Sequence, residues 1–243
     1  MTSNNLWLAP DWPAPNNIHA ATTLRAGGVS TGCYASLNPA THVDDNPEHV
    51  AQNRTIIRES LGLPAEPVWL QQVHSTIAVD AANVIGVPQA DASYSHAANV
   101  VCTVMTADCL PLLVCSEQGD CVAAIHAGWR GLLDGIITHT ISAMAGKNLL
   151  VWLGPAIGPE CFEVGEEVLA AFAGKSPHNR HAFKRHGERW LADIYQLARM
   201  ELASLGIDNI YGGEYCTVTD PKRFYSYRRD KTTGRMASLI WRT

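Results

Sequence analysis

Residues 100–133 constrain the chain most, because apolar runs there end in residues that carry chemistry. One run ends at Asp108 and Cys109, and the next ends at His126, which is followed at once by Ala-Gly-Trp-Arg-Gly. Buried strands usually end in turn residues without such chemistry, and functional side chains are held best where rigid elements meet short loops. We therefore expect strands over this stretch and a functional site at their ends.

Composition excludes several classes of protein. The chain has 243 residues and is 47% hydrophobic, which is enough to bury a large core. A net charge of -5 without a basic block argues against nucleic-acid binding. The apolar runs are shorter than the roughly 18 residues of a membrane span, and the start has no signal-peptide pattern. Seven cysteines without CxxC spacing indicate reduced thiols. We therefore expect a cytoplasmic protein with no membrane or nucleic-acid partner.

The order of the predicted elements indicates an α+β fold. Strands and helices interleave without the regular period of a doubly wound sheet, and nearly consecutive strands between residues 100 and 125 favour hairpins. Asn46 and Pro47 predict the start of a helix that ends at Gly62. No stretch resembles a linker or an internal repeat, so we predict a single domain over residues 1–243.

Local patterns predict the remaining elements. Further strands are predicted over residues 6–8, 18–24, 68–73, 149–153, 210–211, 224–227 and 236–241. Further helices are predicted over residues 132–145, 166–172 and 191–205. The sequence ADASYS is typical of a turn, and the His-rich sequence SPHNRHAFKRHGER is typical of a polar loop.

His74, Cys109 and His126 are the strongest candidate site, because each lies just past an apolar strand. A thiolate and two imidazoles suit zinc or copper. Three protein ligands leave a coordination position open, as in catalytic zinc sites that acidify a water or polarise a substrate oxygen. Their spacing matches no local zinc-finger motif, so the fold must bring them together. The alternative is a nucleophilic Cys109 with a histidine as its base, although a metal-bound thiolate would be unavailable for that role.

Four arginines are candidates for binding an anion. Arg130 lies at a predicted helix start, where backbone N–H groups favour anions. Arg25 lies beside a Gly-Gly turn, and Arg228 and Arg229 lie in a basic loop near the C-terminus. Guanidinium groups bind phosphate through paired hydrogen bonds, and a solvated surface arginine is the alternative interpretation for each position.

Several long motifs occur in a fixed order over nearly the whole chain. They are QQVHS, TADCLPLL, HAGWRG, WLGPAIGP with FEVGEEV, and FYSYRRDKTTGRMAS. Together they resemble the YfiH/laccase-domain family of bacterial polyphenol-oxidase-like proteins. Members are also described as purine nucleoside phosphorylases and as peptidoglycan editing factors. TLRAGG stands where Thr-Arg-x-Gly-Gly is more usual, and Arg25 keeps its distance to the glycines.

This resemblance implies a fold, a cofactor and an activity. The fold is one α+β domain of layered mixed β-sheets flanked by helices, in the order α-β-β-α. The ligands of zinc, or alternatively of copper, are His74, Cys109 and His126. The implied activity is phosphorolysis of adenosine, inosine, guanosine and S-methyl-5′-thioadenosine, with adenosine deamination in addition. The alternatives are a copper-dependent polyphenol oxidase and a peptidoglycan-precursor editing hydrolase that acts on muropeptides.

The leading hypothesis is a zinc-dependent enzyme whose partners are small molecules, namely purine nucleosides and phosphate. In phosphorolysis, phosphate attacks the ribose carbon as the base leaves, and arginines would hold that phosphate. Arg25 and Arg130 are expected to take part in catalysis with Cys109. Asp108 is a candidate acid/base group or a support for the neighbouring ligand. The sequence leaves the oligomeric state open.

Overall fold

The computed structural model describes residues 6–243, so the first five residues of the start, which shows no signal-peptide pattern, lie outside the described range. The strands, in chain order, are β1 (Trp7–Leu8), β2 (Ile18–Thr23), β3 (Ala78–Asp80), β4 (Ala92–Ser95), β5 (Cys102–Thr106), β6 (Leu110–Ser116), β7 (Val122–Ala127), β8 (Leu149–Leu153), β9 (Glu163–Val164), β10 (Phe183–His186), β11 (Arg189–Ala192), β12 (Ile210–Gly212) and β13 (Met236–Arg242). The α-helices are α1 (Pro47–Leu61), α2 (Trp129–Asp134), α3 (Ile136–Met144), α4 (Glu166–Lys175), α5 (Ile194–Ser204) and α6 (Tyr227–Asp230). Two 3-10 helices cover Gly32–Tyr34 and Pro177–Ala182.

Two large sheets form the centre of the protein. One has four strands in the order β1-β2-β13-β5, and the other has six in the order β12-β8-β6-β7-β4-β3. The larger sheet is mixed, because β12 runs parallel to β8 and β3 runs parallel to β4, whereas its other pairs are antiparallel. A third, small sheet, β10-β11-β9, shares no strand with either of them.

Strand β6 shows why the central stretch is continuously apolar. Its alternate residues point to opposite faces of the sheet, as in any strand. Leu112 and Val114 pack in the cluster that includes the helices, whereas Leu113 and Cys115 pack in the cluster between the two sheets. A strand buried on both faces has no exposed polar side, so its sequence shows no alternation.

Helices cover the outer faces of both sheets. Ile57 of α1 packs with Leu239 of β13 against the smaller sheet. Ile137 of α3 and Leu197 of α5 pack with Leu112 against the larger one. These contacts confirm the predicted α+β fold with layers in the order α-β-β-α. The boundaries of a single domain over residues 1–243 stay a prediction. Within the described range, no helix is both long enough and apolar enough to cross a membrane.

Helix α1 has the ends that the sequence predicts. The Asn46 side chain accepts hydrogen bonds from the backbone N–H groups of Glu48 and His49, and Pro47 takes the first helical position. Gly62 ends the helix in the left-handed conformation with a φ of 59°. The β6–β7 hairpin is also as predicted, whereas β5 belongs to the other sheet and pairs with β13.

Three predicted elements near the site are wrong in detail. Residues 68–73 form an extended segment with isolated bridges instead of a regular strand. The Gln72 side chain takes the place of a neighbouring strand's backbone at Met105 of β5. It accepts from the Met105 N–H (2.7 Å) and donates to the Met105 carbonyl (2.8 Å). ADASYS contains strand β4, because its small residues fit between neighbouring strands. The helix predicted over residues 132–145 is two helices that break at Gly135, where φ is 97°.

The C-terminal third also departs from the local patterns. The polar loop folds into a 3-10 helix and the β10–β11 hairpin. The helix predicted from residue 191 begins only at Ile194, after the N-cap Asp193. Residues 224–227 are not a strand, because buried Phe224 and Tyr225 pack in a separate cluster and α6 begins at Tyr227.

Candidate metal centre

His74, Cys109 and His126 converge at one point, and their ligand atoms all lie within 4.8 Å of one another. The Cys109 Sγ lies 3.7 Å from the His74 Nε2. Zinc bonds of about 2.0–2.1 Å to nitrogen and about 2.3 Å to sulfur, at tetrahedral angles, place N and S roughly 3.6 Å apart. The donor types and this spacing therefore fit a bound metal ion.

The fold supplies each ligand from a different element. Cys109 directly precedes β6, and His126 lies on β7, where it pairs with Pro111 of β6. This antiparallel register brings the start of β6 beside the end of β7. His74 comes from the extended segment after Gln72, and its φ of 62° puts it in the left-handed region that non-glycine residues rarely occupy.

Asp91 holds His74 and His126 in place, although no pattern in the sequence distinguishes it from other aspartates. Its fully buried carboxylate accepts hydrogen bonds from the backbone N–H groups of Val73 (3.2 Å), His74 (3.0 Å) and Ser75 (2.6 Å). It also accepts from the Ser75 hydroxyl (2.7 Å) and from the His126 Nδ1 (2.8 Å). One side chain thus fixes the left-handed turn at His74 and leaves the His126 Nε2 for a metal.

The charges at this centre depend on one another. Burial raises the pKa of Asp91, but hydrogen bonds from His126 and Ser75 outweigh it and lower that pKa to about 2. Burial lowers the pKa of His126, but the charges of Cys109 and Asp91 raise it to about 9. Burial likewise raises the pKa of the Cys109 thiol, which His126 and His74 lower to about 6. The centre therefore favours a thiolate at neutral pH, the form that binds metals.

Gly128 provides room for the ligands. A Cβ atom at this position would lie 2.5 Å from the His74 Cδ2, 2.9 Å from its Nε2 and 3.1 Å from the Cys109 Sγ. The backbone at Gly128 has φ of -62° and ψ of 155°, which any residue can adopt. The glycine of the HAGW motif is therefore required for space and not for conformational freedom.

The three ligands lie on the wall of a cavity of about 460 Å³. Trp129, buried Phe162 and half-exposed Tyr227 contribute aromatic surface to it. Ligand pockets in this size range are typically apolar with a few polar groups that fix orientation. Apart from the three proposed ligands, the charged residues that line the cavity are three arginines and one carboxylate: Arg130, Arg228, Arg235 and Asp108.

Two of the four predicted arginines reach this cavity. Exposed Arg130 lies 4.3 Å from the Trp129 ring centroid, at the start of α2. Arg228 lies 5.7 Å from the Phe162 ring centroid, and its guanidinium donates to the Glu163 carbonyl at 3.1 Å. Each places a cation on an aromatic side chain at the cavity wall.

The structure does not bring Arg25 and Arg229 to the cavity. Arg25 donates to the Ala35 carbonyl through two nitrogens (3.2 Å each) and to the Pro221 carbonyl (3.0 Å). Arg229 donates to the Thr217 carbonyl at 2.7 Å, among others. Both guanidinium groups donate to backbone carbonyls of loops and hold those loops together. A phosphate contact of either arginine stays a prediction.

Asp108 links the metal centre to the C-terminal loop. Its carboxylate accepts from the Thr217 hydroxyl (2.5 Å) and from the Arg228 backbone N–H (2.6 Å), one donor for each oxygen. The residue has a φ of 93° and is 9% exposed. These contacts support the wall beside Cys109, and an acid/base role for Asp108 stays a prediction.

Sequence reasoning also missed His42 and Arg235, which line the same cavity. Arg235 directly precedes β13, and its position before an apolar strand was the available signal. His42 lies in an irregular loop before α1, where no pattern distinguishes it from the other histidines.

Together, the fold and the converging side chains define the class of protein. It is an α+β protein with two central sheets and an open His-Cys-His group that can hold a metal. The family model described as multi-copper polyphenol oxidoreductase laccase matches residues 19–243. The chain belongs to this family, which is the YfiH/laccase-domain family indicated by its motifs.

Relatives from several bacteria resemble the chain over nearly its whole length. A Shigella flexneri protein named purine nucleoside phosphorylase YfiH is 52% identical over 240 residues, which cover 96% of this chain and 98% of the relative. A Pseudomonas aeruginosa purine nucleoside phosphorylase is 50% identical over 241 residues, covering 98% of each chain.

Solved structures show the same fold. The crystal structure of a Neisseria meningitidis protein matches with a TM-score of 0.94 at 49% identity, covering 98% of this chain and 99% of that one. The structure of YlmD from Geobacillus stearothermophilus matches with a TM-score of 0.92 at 30% identity, covering 100% and 98%.

Proposed function

We propose that the protein is a zinc-dependent purine nucleoside phosphorylase. The observation that carries this proposal is an open three-ligand group on the wall of a cavity with aromatic and basic sides. The names of the Shigella and Pseudomonas relatives support the same reaction class. The proposed substrates are adenosine, inosine, guanosine and S-methyl-5′-thioadenosine, with adenosine deamination as a further activity.

The aromatic side of the cavity suits a purine base. Trp129 and Phe162 offer flat apolar surfaces, and base–aromatic stacking tolerates different substituents on the ring. Tolerance of this kind agrees with a substrate range that includes both adenosine and guanosine. Arg130 and Arg228 lie over these two rings, so the aromatic surfaces lie directly beside positive charge.

The basic side suits phosphate. In phosphorolysis a phosphate oxygen forms a bond to the ribose carbon while the bond from that carbon to the base nitrogen breaks. Arg130 and Arg228 would hold the phosphate in line with the bond that breaks, which lowers the entropic cost of the reaction. Asp108, with both oxygens hydrogen bonded, keeps the backbone of Arg228 at the cavity wall.

His74, Cys109 and His126 would hold the metal, with Asp91 fixing the His126 ring through Nδ1. Zinc bound there supplies a Lewis acid beside the substrate. All seven cysteines are free, which supports a reducing compartment, and we propose the cytoplasm as the site of action.

The test measures metal content and products on the same preparation. Purified protein is analysed for zinc and copper, then incubated with adenosine and phosphate while ribose 1-phosphate, adenine and inosine are quantified. We expect stoichiometric zinc and formation of ribose 1-phosphate, both lost in His74→Ala. Protein with stoichiometric zinc that forms neither ribose 1-phosphate nor inosine would contradict the proposal.

A copper-dependent polyphenol oxidase is the second candidate, favoured by the description of the matching family model. A Cys and two His also suit copper. Within residues 6–243, however, one group of three such ligands is found, whereas multicopper chemistry needs several. Oxygen uptake with a phenol, measured before and after copper is exchanged for zinc, tests this candidate. Uptake that persists with zinc would dismiss it, and a parallel screen with muropeptides tests the hydrolase alternative.

A further inference from the structure

Three polar residues of the cavity remain without a role after the metal ligands, the other charged groups and the aromatic walls are accounted for. Arg235, His42 and Thr106 all line the cavity that holds the trio. Thr106 ends β5 and Arg235 directly precedes β13, so both lie at the four-stranded sheet, whereas His42 comes from the loop before α1. The register pairs Thr106 with Met236, which places the adjacent Arg235 beside the end of β5.

The Arg235 side chain is held by its own loop. Its backbone N–H donates to the side-chain oxygen of fully buried Asn38 (3.0 Å). One guanidinium nitrogen, NH1, donates to the carbonyls of Thr233 (2.9 Å) and Gly234 (3.0 Å). Within residues 6–243, the protein gives no acceptor to the Nε and NH2 groups, so these donors can bind a ligand.

The Thr106 hydroxyl provides an independent observation. The residue is 2% exposed, and its Oγ1 has no hydrogen-bond partner among the described residues. A buried hydroxyl without a partner is unfavourable, so such a group normally binds a ligand or a water. Because Thr106 lines the cavity, a ligand oxygen there would satisfy it.

The charge of this region favours an anion. Apart from the proposed metal ligands, three arginines line the cavity against the single carboxylate of Asp108, whose oxygens already accept from Thr217 and from the Arg228 backbone. Burial and the nearby charges of Arg235 and Arg54 lower the pKa of His42. The imidazole of His42 therefore lies in a positive potential, and when neutral it can still donate one N–H.

We propose that Arg235, His42 and Thr106 together bind a phosphoryl oxyanion, and that in this protein it is free inorganic phosphate. The assignment rests on the proposed phosphorolysis, in which these three residues add donors to Arg130 and Arg228 at the site of the second substrate. A tetrahedral oxyanion accepts from several donors at once, and a guanidinium fork, an imidazole and a hydroxyl supply donors of three shapes. The phosphoryl group of a nucleotide offers the same chemistry, so the experiment separates these two sources.

The experiment titrates inorganic phosphate into zinc-loaded protein by calorimetry and measures KM for phosphate and for adenosine. The test variants are Arg235→Lys, His42→Ala and Thr106→Val. Each has a matched control. Arg242→Lys changes another arginine whose side chain donates to two backbone carbonyls, and His178→Ala removes a histidine that does not line the cavity. Thr103→Val removes a second buried hydroxyl without a partner among the described residues, from the same strand. Thermal melting of every variant verifies that it is folded.

We expect Arg235→Lys to raise both the Kd and the KM for phosphate about 10-fold, because a single charge-assisted hydrogen bond accounts for a factor of this size. His42→Ala and Thr106→Val should raise the Kd and the KM for phosphate by smaller factors, because each removes a neutral hydrogen bond. KM for adenosine should stay within about twofold, because adenosine binds outside this subsite. The control variants should bind phosphate as the wild type does.

The outcomes separate this proposal from the proposed function. Phosphorolysis with an unchanged KM for phosphate in all three folded variants would overturn the subsite and leave the function standing. Phosphate binding that is weakened in the variants, in a protein that releases no ribose 1-phosphate, would support the subsite and reject the function. Adenosine 5′-monophosphate is titrated in parallel. Tighter binding of this nucleotide than of inorganic phosphate, dependent on the same residues, would overturn the assignment to free phosphate.

Discussion

Replacing Asp91 with Asn tests whether one buried carboxylate controls the metal centre. The carboxylate accepts hydrogen bonds from Val73, His74, Ser75 and the His126 Nδ1, all of which are donors. Asn keeps the volume and one acceptor oxygen, but its amide nitrogen would face other donors. The substitution also removes the negative charge that holds the His126 ring with its Nε2 free for the metal.

The expected effect on metal affinity follows from this geometry. Loss of a carboxylate that orients a histidine ligand costs about 10- to 100-fold in metal affinity. Breaking a buried ion pair on one side costs about 3–5 kcal/mol of stability, a large share of the roughly 5–15 kcal/mol that stabilises a typical protein. We therefore expect Asp91→Asn to bind zinc at least about tenfold more weakly and to melt at a lower temperature.

Competition with a chromophoric zinc chelator measures the affinity, and calorimetric melting measures the stability. Asp80→Asn is the matched control, since the Asp80 carboxylate at the end of β3 accepts from Ala82 and Asn83 in the turn that follows and contacts none of the three proposed ligands. Asp91→Asn that melts lower yet competes for zinc as well as the wild type would refute a role for Asp91 in orienting the ligands.

Three further predictions concern the same region. Gly128→Ala should fold but lose zinc, because its Cβ would meet the His74 ring, whereas Gly174→Ala, where nothing lies within 4 Å, should retain zinc in the same metal analysis. Iodoacetamide at pH 7 should modify Cys109 quickly in metal-free protein, because a thiol whose pKa is about 6 is mostly thiolate at that pH. The rate of modification, measured by peptide mapping, should fall as the pH drops below 6. Equal rates with and without bound zinc would contradict ligation by Cys109. Arg25→Ala should lower the melting temperature through its lost carbonyl contacts and leave KM for phosphate unchanged, so an increase in that KM would show that Arg25 contacts phosphate.

Patterns of apolar residues predicted many of the elements and the α+β class because they follow directly from burial, whereas the order of the layers came from the resemblance to the family. Strand β6 is apolar throughout since both faces are covered, and Asn46 with Gly62 marks the ends of α1 through local hydrogen bonds and a left-handed backbone. ADASYS was misread because Ala and Ser, small enough for a packed sheet, are also common in turns. Whether β5 pairs with β6 or with β13 depends on contacts between distant residues, which no local pattern records.

The residues of the candidate site also differ in how far the sequence predicts them. His74, Cys109 and His126 were predicted because few side chains combine metal-binding chemistry with a position at a strand end. Their motifs also match the family. Asp91 was missed because an aspartate beside a strand resembles any turn residue until its five donors are known. Arginines were the least predictable, since a guanidinium at a loop serves equally well to bind backbone carbonyls or a ligand.

The short link between β5 and β6 has a consequence for how the protein matures. Residues 107–109 pass from the smaller sheet to the larger one, so the cavity takes Thr106 and Arg235 from one sheet and Cys109 and His126 from the other. Neither sheet forms the cavity alone, and two strands that meet there are far apart in the chain, because β5 pairs with the C-terminal β13. Tight zinc uptake during refolding should therefore be a late event that reports the docking of the two sheets, and a nascent chain still lacking β13 should be unable to assemble the complete cavity.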